Sequence, residues 1–482
     1  MSHRTSFWFY ALLSAAGYTV LRLWMPLAPY ALPARRPDVA VFAPWPWGTL
    51  AYALLLGVLF GLYFLAYRTV LRSPHPPRLA SLLVPAALFA LLLLGAFPIN
   101  ALDSYNYLIL GREQALFGQN PYLVPPNALP AEPFLRYVGE WGDLVSNYGP
   151  VFQQAAARVA AICGDDLVLG LVLFKLLAAL CWLLCGLLIW LLLRPCDGRT
   201  RAARTLLWLW NPALLLSFAM NGHNDSMMLL WLLLGLWLLR RGRPALGLVV
   251  MALAPLTKMS GLLPIPFFLL AELRVLPGVQ ARLHLLAQGV LGSVALAWLC
   301  FLPYGPPWVI VPRLLDTAQG VGYSPLALPV LALGRWHIAV THSHWALIGA
   351  LVLITLLLMW LWQTWRGRSP LRGAADSLAA YVTLALSFRI WYAAWLLPWL
   401  LLDAPPSGAP PNRREQALAR RRLHAGLWFL LFTQMSVLIY GQLYFNVLGR
   451  DRLWAHALAV PVVFLLPLLL APLRLEPRDE TP

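Results

Sequence analysis

Apolar runs of about twenty residues, separated by short polar breaks, make up most of this chain. A helix needs roughly 20 apolar residues to cross the hydrocarbon core of a bilayer. Two regions are pairs of shorter segments, 245–256 with 260–271 and 374–388 with 390–402. Longer spans are predicted near 6–25, 49–70, 79–98, 167–193, 203–219, 224–240, 285–303, 346–365, 424–441 and 453–474. The pattern predicts an all-α polytopic membrane protein with about 12–14 transmembrane helices.

Composition and charge support a membrane protein and argue against a nucleic-acid partner. The chain is 60% hydrophobic and only 11% charged, whereas soluble domains carry roughly 25% charged residues. Its net charge is +17, but the arginines lie in short clusters between apolar runs. Lys and Arg beside span ends stay in the cytoplasm and set the orientation of the helices. The clusters occupy 68–78, 194–204, 240–243, 366–372 and 413–422.

One orientation places every arginine cluster on the cytoplasmic side. It predicts cytoplasmic N- and C-termini in the cell inner (plasma) membrane. The first segment is expected to be a retained helix, because no small-residue cleavage site is evident. Segments 100–166 and 304–345 then form outer loops, and 404–422 is a proline-rich cytoplasmic linker. We expect one integral membrane domain over residues 1–482.

The loop 100–166 is the one long polar interruption, and it begins with a carboxylate at the end of an apolar run. A carboxylate at the mouth of a span, followed by donors and aromatic rings, suits activation of a hydroxyl on a sugar-like substrate. The alternative is a solvated loop in which Asp103 is a helix N-cap. The polar and aromatic residues that follow are Tyr105, Tyr107, Arg112, Asn120, Tyr122 and, further on, Tyr148.

A second polar segment, Asn221–Asp225, separates two runs that are otherwise nearly pure Leu, Trp and Met. Its sequence is Asn221, Gly222, His223, Asn224, Asp225. It is either part of the site or a hairpin turn with Asp225 as an N-cap. His223 lacks a second ligand at the usual zinc spacing. The outer-loop histidines His337, His342 and His344 do not match a metal pattern either, so no metal or other cofactor is expected.

Lysine is rare here, since only Lys175 and Lys258 occur among 36 basic residues. Ionised groups within apolar segments are costly and often functional. Lys258 and Arg389 both stand at the breaks of the two segment pairs, where a cation would suit a phosphate group. The alternatives are an interfacial anchor for Arg389 and, for Lys258, a side chain reaching to the interface. We expect Lys175 to reach to the interface as well.

These features together resemble the GT-C superfamily of membrane glycosyltransferases, which use lipid-linked sugar donors at the outer membrane face. The resemblance is to the polyprenol-phosphate-mannose-dependent branch. It covers most of the chain in topology and a few short motifs in residues. The motifs are Asp103–Tyr122, Ser146–Pro150, Asn221–Asp225 and Pro255–Lys258. This chain departs from the simplest layout of the family in placing three spans before the aspartate.

The resemblance implies an inverting transferase that moves a sugar, with mannose favoured, from a polyprenyl phosphate to a glycan or glycolipid hydroxyl. Asp103 matches the general base, and Lys258 with Arg389 are the candidates for the donor phosphate. Membrane lipid is an expected partner, and a divalent metal is not indicated. The implied substrate-binding residues are Tyr105, Tyr107, Arg112, Asn120, Tyr122, Tyr148, Asn221, His223, Asn224 and Asp225.

Two other classes of protein share some of these sequence features. Broken helices with charges also mark transporters and lipid flippases, although no inverted hydropathy repeat is evident here and the polar residues gather on one side. A scaffold in envelope assembly is the other alternative. Detection of sugar transfer separates the enzyme from both.

Overall fold

A computed structural model describes residues 3–31, 39–99, 103–129, 131–316, 322–336, 338, 342–404 and 413–473. Some predicted features lie outside these residues. They are residues 100–102 at the start of the first outer loop, His337 in the second, and 405–412 in the linker. The side chains of 140, 313–316 and 342 are not described either.

The described residues form helices and turns, and none belongs to a β-strand. An isolated antiparallel bridge joins Pro26 and Ala96. The first helices are α1 (His3–Trp24), α2 (Val39–Phe42), α3 (Trp47–Arg72), α4 (Leu79–Leu94), α5 (Asp103–Ala115), α6 (Pro150–Cys163), α7 (Leu167–Leu192), α8 (Gly198–Leu209), α9 (Pro212–Leu215), α10 (Asp225–Arg240) and α11 (Pro244–Met251). The next are α12 (Ile265–Val275), α13 (Gly278–Phe301), α14 (Pro307–Asp316), α15 (Ala327–Arg335), α16 (His342–Trp365), α17 (Pro370–Leu384), α18 (Leu397–Leu402), α19 (Arg413–Leu438), α20 (Tyr444–Asn446), α21 (Arg452–Val460) and α22 (Leu466–Leu470).

Short 3-10 and π-helical turns connect several of these helices. The 3-10 turns are Ala28–Tyr30, Pro126–Ala128, Leu135–Tyr137, Gly139–Trp141, Met259–Leu262 and Ile390–Trp395. The π-helical turns are Leu216–Met220, Ile439–Leu443 and Pro461–Leu465. The predicted first outer loop thus carries short helices, as expected.

Within the described chain, 6 helices are long and apolar enough to cross a membrane. They are Trp47–Arg72, Leu167–Leu192, Gly278–Phe301, Ser343–Trp365, Arg413–Asn446 and Arg452–Leu470. The last two each join two helices through a π-helical turn, α19 with α20 and α21 with α22. The all-α membrane class is therefore confirmed. Most of the other predicted spans are shorter or broken helices, because prolines and polar turns interrupt the apolar runs. The hydropathy pattern thus predicts more spans than there are unbroken spanning helices.

The spanning helices differ in how far other helices cover them. In α7, 50% of the most apolar window is buried inside the protein, against 11% in α13 and 6% in α16. Helix α7 contacts α4, α8 and α10, and the fully buried Trp182 and Trp208 lie in this region. The core is therefore built around α7, while α13 and α16 present apolar side chains outward, as lipid-facing helices do.

Both predicted helix breaks are confirmed, and each places a cation in extended backbone. Lys258 has φ −152° and ψ 125° between α11 and α12. Arg389 has φ −123° and ψ 146° just before the 3-10 turn Ile390–Trp395. Each cation immediately precedes a 3-10 turn, so the two breaks are locally alike.

Lys175 does not reach an interface, so that expectation is wrong. Its side chain is buried within α7, and Nζ donates hydrogen bonds to the carbonyl oxygens of Leu93 (2.8 Å), Leu94 (2.7 Å) and Ala96 (2.5 Å). The last carbonyls of a helix have no partner within the helix. Lys175 therefore caps the C-terminal end of α4, from which the chain runs on toward Asp103.

Candidate functional site

Helix α5 carries polar side chains yet is enclosed by protein. Every residue from Asp103 to Glu113 is buried, and α5 packs against α6 and α7. A buried polar group costs free energy unless it has a hydrogen-bonding partner. The solvated-loop alternative for Asp103 is therefore wrong, and the partners of each polar side chain become informative.

The four sequence motifs meet at one place in the fold. Ser104 Oγ donates to the carbonyl oxygen of Asn221 at 2.7 Å, which joins the first motif to the third. The backbone N–H of Gly149 donates to Thr257 O at 3.0 Å, which joins the second motif to the fourth. A Cβ at Gly149 would lie 2.1 Å from Leu256 O, so this close approach requires glycine.

Asp103 faces His223 at the centre of this cluster. Asp103 Oδ2 lies 3.2 Å from His223 Nδ1, and the His223 ring stacks on Trp391 with ring centroids 3.7 Å apart. Burial alone would raise the pKa of the Asp103 carboxyl, but the contact with His223 and the charges of Lys258 and Arg389 outweigh it. The pKa of Asp103 is lowered as a result, and its carboxylate is ionised at neutral pH.

Two asparagines that border this pair have polar atoms without a protein partner. Asn106 is one turn after Asp103 and buried, and its Oδ1 accepts no hydrogen bond from the described residues. Asn224, next to His223, is also buried, and neither its Oδ1 nor its Nδ2 has such a partner. Buried polar groups left unpaired are rare and need an explanation. Asn106 was missed by the sequence analysis, although its spacing of three from Asp103 is the available signal.

Asp225 is fully buried and binds two side chains. Its Oδ1 accepts hydrogen bonds from Lys258 Nζ at 2.8 Å and from Trp395 Nε1 at 2.6 Å. The Lys258 ammonium also lies 4.7 Å from the ring centroid of Tyr392 and 5.4 Å from that of Trp395. Asp225 is the first residue of α10 and its side chain forms these contacts instead of an N-cap. The hairpin-cap alternative is therefore wrong.

Four of the predicted substrate-binding residues anchor the first loop to its surroundings. Tyr105 Oη donates to Ala31 O at 3.1 Å. Arg112 binds Glu132 at 3.0 Å and Asp165 at 2.9 Å. The remaining anchors are Asn120 Nδ2 to Tyr304 O at 2.7 Å and Tyr122 Oη to Tyr148 O at 2.7 Å. These bonds fix the position of α5 and of the turn that contains Tyr148.

Aromatic rings support the Asp103 helix from one side. Tyr107 packs edge-on against Tyr148 and Phe152, with ring centroids 4.9 and 4.6 Å apart. Edge-to-face pairs of this kind hold a fixed geometry. Tyr107 and Tyr148 thus connect the helix that bears Asp103 to α6.

The two predicted phosphate-binding cations have different surroundings. Lys258 is held in the salt bridge with Asp225. Arg389 lines a cavity of about 680 Å³, which it shares with Trp391. Among the described residues, no group of three or more His, Cys, Asp or Glu side chains is placed to hold a metal ion.

Sequence comparisons connect this chain to known transferases. Residues 16–274 match the family model of the alpha-(1->6)-mannopyranosyltransferase N-terminal domain, MptA_B family. Alpha-(1->6)-mannopyranosyltransferase A of Mycobacterium tuberculosis is 28% identical over 334 residues, which are 63% of this chain and 62% of that protein. Alpha-(1->6)-mannopyranosyltransferase B of Corynebacterium glutamicum is 31% identical over 222 residues, which are 42% of this chain and 36% of that protein.

A third relative extends the match further along the chain. The probable alpha-(1->6)-mannopyranosyltransferase of Mycolicibacterium smegmatis is 26% identical over 394 residues, which are 71% of this chain and 67% of that protein. The match to the Mycobacterium tuberculosis relative spans 62% of that protein's length. The family model covers more than half of the chain and includes Asp103, His223, Asp225 and Lys258. The GT-C resemblance is thereby confirmed, and the chain belongs to the alpha-(1->6)-mannopyranosyltransferase family.

Proposed function

We propose that this protein transfers a mannosyl group from a polyprenyl-phosphate donor to a hydroxyl of a glycan or glycolipid at the outer face of the membrane. The observation that carries the proposal is the buried, ionised Asp103 beside His223, with unpaired polar atoms of Asn106 and Asn224 next to it. Sugar hydroxyls both donate and accept hydrogen bonds, so they can pair with Oδ1 of Asn106 and with both polar atoms of Asn224. The names of the relatives favour an α-(1→6) linkage in the product.

Asp103 is the general base in this reaction. Its carboxylate accepts the proton of the acceptor hydroxyl as the hydroxyl oxygen attacks the anomeric carbon of the donor. The bond from the anomeric carbon to the phosphate oxygen breaks, and polyprenyl phosphate leaves with the electron pair of that bond. Attack from the face opposite the leaving group inverts the anomeric centre. His223 orients the carboxylate, and its own ring is fixed by Trp391.

The leaving group carries negative charge, which nearby cations stabilise. Arg389 is the side chain we propose to contact the phosphate, because it lines the cavity and has no ion-pair partner among the described residues. A phosphate contact by Lys258 stays a prediction. Its ammonium is in a salt bridge with Asp225, which a phosphate would have to share.

The test is sugar transfer by purified protein in detergent, with radiolabelled polyprenyl-phosphate mannose and envelope glycolipids as substrates. We expect label in a larger glycan with the wild type and a loss of about 100- to 10,000-fold with Asp103→Asn, the range typical of a lost general base. Asp143→Asn is the matched control, because Asp143 lies exposed in the same loop and binds Asn127.

Either of two results would contradict the proposal. Near-wild-type activity of Asp103→Asn would remove the base assignment. No transfer by folded wild-type protein from any of a panel of polyprenyl-phosphate sugars would contradict the enzyme and favour a transporter. Transfer of a different sugar from that panel would retain the reaction class and correct the donor.

A further inference from the structure

The cavity behind Trp391 contains a second arginine that the sequence analysis did not single out. Arg452, the first residue of α21, lines this cavity together with Arg389. Trp391 also lines it and stacks on His223, so the cavity adjoins the Asp103 site. Its volume of about 680 Å³ is within the range of roughly 300–1,000 Å³ for small-molecule sites.

The charges on the cavity wall have one sign. Arg389 and Arg452 line it, and no Asp or Glu of the described residues does. Neither guanidinium forms an ion pair or a side-chain hydrogen bond with the described residues. Other arginines are paired with carboxylates, as Arg112 is with Glu132 and Arg335 with Asp451. Two unpaired guanidinium groups at one cavity suit an anion, and guanidinium binds phosphate through two parallel hydrogen bonds.

Other lining residues are polar and held by hydrogen bonds. His456 is buried, and its Nε2 lies 2.8 Å from Ser324 O, which only accepts. Nε2 therefore carries the proton, and in the neutral ring Nδ1 accepts from Tyr440 Oη at 2.9 Å. The Tyr440 hydroxyl uses its proton in the bond to His456, so its oxygen remains available to accept a hydrogen bond from another group. The Tyr323 ring packs against that of Tyr440, with ring centroids 3.9 Å apart and planes tilted by 31°. These hydroxyl and aromatic groups suit a sugar head group, while the aliphatic lining residues Val39, Leu331 and Val437 suit the first units of a prenyl chain.

We propose that Arg452 and Arg389 together bind the phosphate of the lipid-linked donor in this cavity, with Arg452 as the second phosphate-binding cation. The assignment rests on the proposed function, since a phosphate donor is part of it. The proposal pairs Arg389 with Arg452 and not with Lys258, because the charge of Lys258 is balanced by Asp225. Arg452 is exposed, so its replacement leaves no buried charge without a partner.

The first experiment measures binding and does not depend on catalysis. Farnesyl phosphate and farnesol are titrated into purified full-length protein in detergent by calorimetry, with inorganic phosphate as a third probe. We expect the wild type to bind farnesyl phosphate at least tenfold more tightly than either of the others. Arg452→Gln and Arg389→Gln lose that preference, and Arg452→Lys retains part of it because the charge remains without the bidentate geometry.

The matched control is Arg450→Gln. Arg450 is two residues from Arg452, carries the same charge and does not line the cavity; its guanidinium lies over the Phe445 ring at 5.7 Å. We expect this variant to keep the preference for farnesyl phosphate. Wild-type binding by Arg452→Gln, or an equal loss in Arg450→Gln, overturns the assignment. Equal affinity of the wild type for inorganic and farnesyl phosphate identifies a free-phosphate site and overturns it as well.

A kinetic experiment separates this inference from the proposed function. In the transfer assay, Arg452→Gln is expected to raise the donor KM by about tenfold or more while the acceptor KM stays unchanged, which a merely structural defect would not do. Normal donor KM in Arg452→Gln overturns the inference and leaves the transferase intact. Absence of transfer with selective farnesyl phosphate binding by the wild type overturns the transferase and retains the phosphate site.

Discussion

The Asp103 site and the cavity beside it use charged residues in opposite ways. At the Asp103 site, each carboxylate has a side-chain partner within reach: Asp103 faces His223, and Asp225 binds Lys258. In the cavity, Arg389 and Arg452 have no such partner among the described residues. Trp391 lies between the two regions, since it stacks on His223 and also lines the cavity.

The difference separates groups that hold the site together from groups that remain available to a ligand. A buried charge with a partner is costly to disrupt, because removal of one member leaves the other desolvated and alone. A partly exposed, unpaired guanidinium can be replaced without that penalty. Variants at the Asp103 site are therefore expected to affect stability, pH dependence or the chemical step, whereas variants in the cavity are expected to affect donor affinity.

The largest expected effect on stability comes from breaking the buried pair of Lys258 and Asp225. Lys258→Met leaves the Asp225 carboxylate fully buried with only Trp395 as a donor. We expect a loss of about 3–5 kcal/mol in the free energy of unfolding, as for other broken buried pairs. Unfolding by titration with a denaturing detergent measures it.

The double variant Lys258→Met, Asp225→Asn is the control for this prediction. It removes both charges, and we expect it to recover most of the stability that the single variant loses. An additive double variant would show that the two side chains contribute separately, which contradicts the pairing seen in the structure.

Replacing the lysine that caps α4 is expected to have the next largest effect. Lys175→Met removes the donor to the carbonyl oxygens of Leu93, Leu94 and Ala96. Unpaired buried carbonyls cost about 1–3 kcal/mol each, offset in part by removal of the buried charge, so we expect a net loss of about 2–3 kcal/mol. Thermal unfolding measures it, and Lys175→Gln, which keeps N–H donors, should lose less. Equal stability of Lys175→Met and wild type would contradict the capping role.

Removing the contact of His223 with Asp103 is expected to change the pH dependence of transfer. His223→Phe retains a ring to stack on Trp391 but has no nitrogen near the carboxylate. The pKa of Asp103 is lowered in the wild type, so it should rise in the variant. The acid limb of kcat/KM, where the base becomes protonated, then moves to higher pH, and the rate falls by about tenfold from lost orientation. An acid limb at the same pH in both proteins would contradict the role of His223.

The effect that is smallest at pH 5 concerns Glu113, at the far end of α5 from Asp103. Its side chain is buried, neither carboxylate oxygen has a hydrogen-bond partner among the described residues, and burial raises its pKa to about 8. A raised pKa in the folded state means that the folded protein holds a proton that the unfolded chain has released. Glu113 therefore contributes stability below about pH 4, and this contribution is lost as the pH rises toward 8.

Glu113→Gln is the test, because the amide resembles the protonated carboxyl at every pH. We expect the variant to unfold at the same temperature as the wild type near pH 5 and at a higher temperature near pH 8. The difference between the two proteins in the free energy of unfolding should grow by at most about 1.4 kcal/mol per pH unit. Parallel stability curves for the two proteins would show that Glu113 is ionised in the folded state.

The sequence predicted the fold class and many residues of the site, but not the contacts between those residues. Apolar runs predicted most of the long helices, and the breaks at Lys258 and Arg389 followed from prolines and polar residues within those runs. The partners of those residues were not predictable in this way. The Lys258–Asp225 pair joins residues 33 positions apart, and the contact of Ser104 with Asn221 joins residues 117 apart. Hydropathy contains no information on such pairings.

Arg452 shows why part of the cavity was missed. In the sequence it stands just before an apolar run, outside the five arginine clusters that set the topology, and no motif marks it. Only the fold distinguishes it from Arg450, because α21 directs one of them toward the cavity shared with Arg389. Tyr440 and His456 were missed for the same reason, since single polar residues within apolar helices have many ordinary structural roles.

The cap on α4 also has a consequence for how the protein enters the membrane. Insertion of a lysine in the middle of a helix costs about 3 kcal/mol, yet α7 carries Lys175 within its apolar span. The carbonyl groups that accept hydrogen bonds from Nζ belong to the last residues of α4 and to Ala96 just after it, and all of these leave the ribosome before α7 does. The acceptor is thus already in place when the lysine arrives. In a circular permutant with α7 before α4 in the chain, Lys175 would enter the membrane before its carbonyl partners.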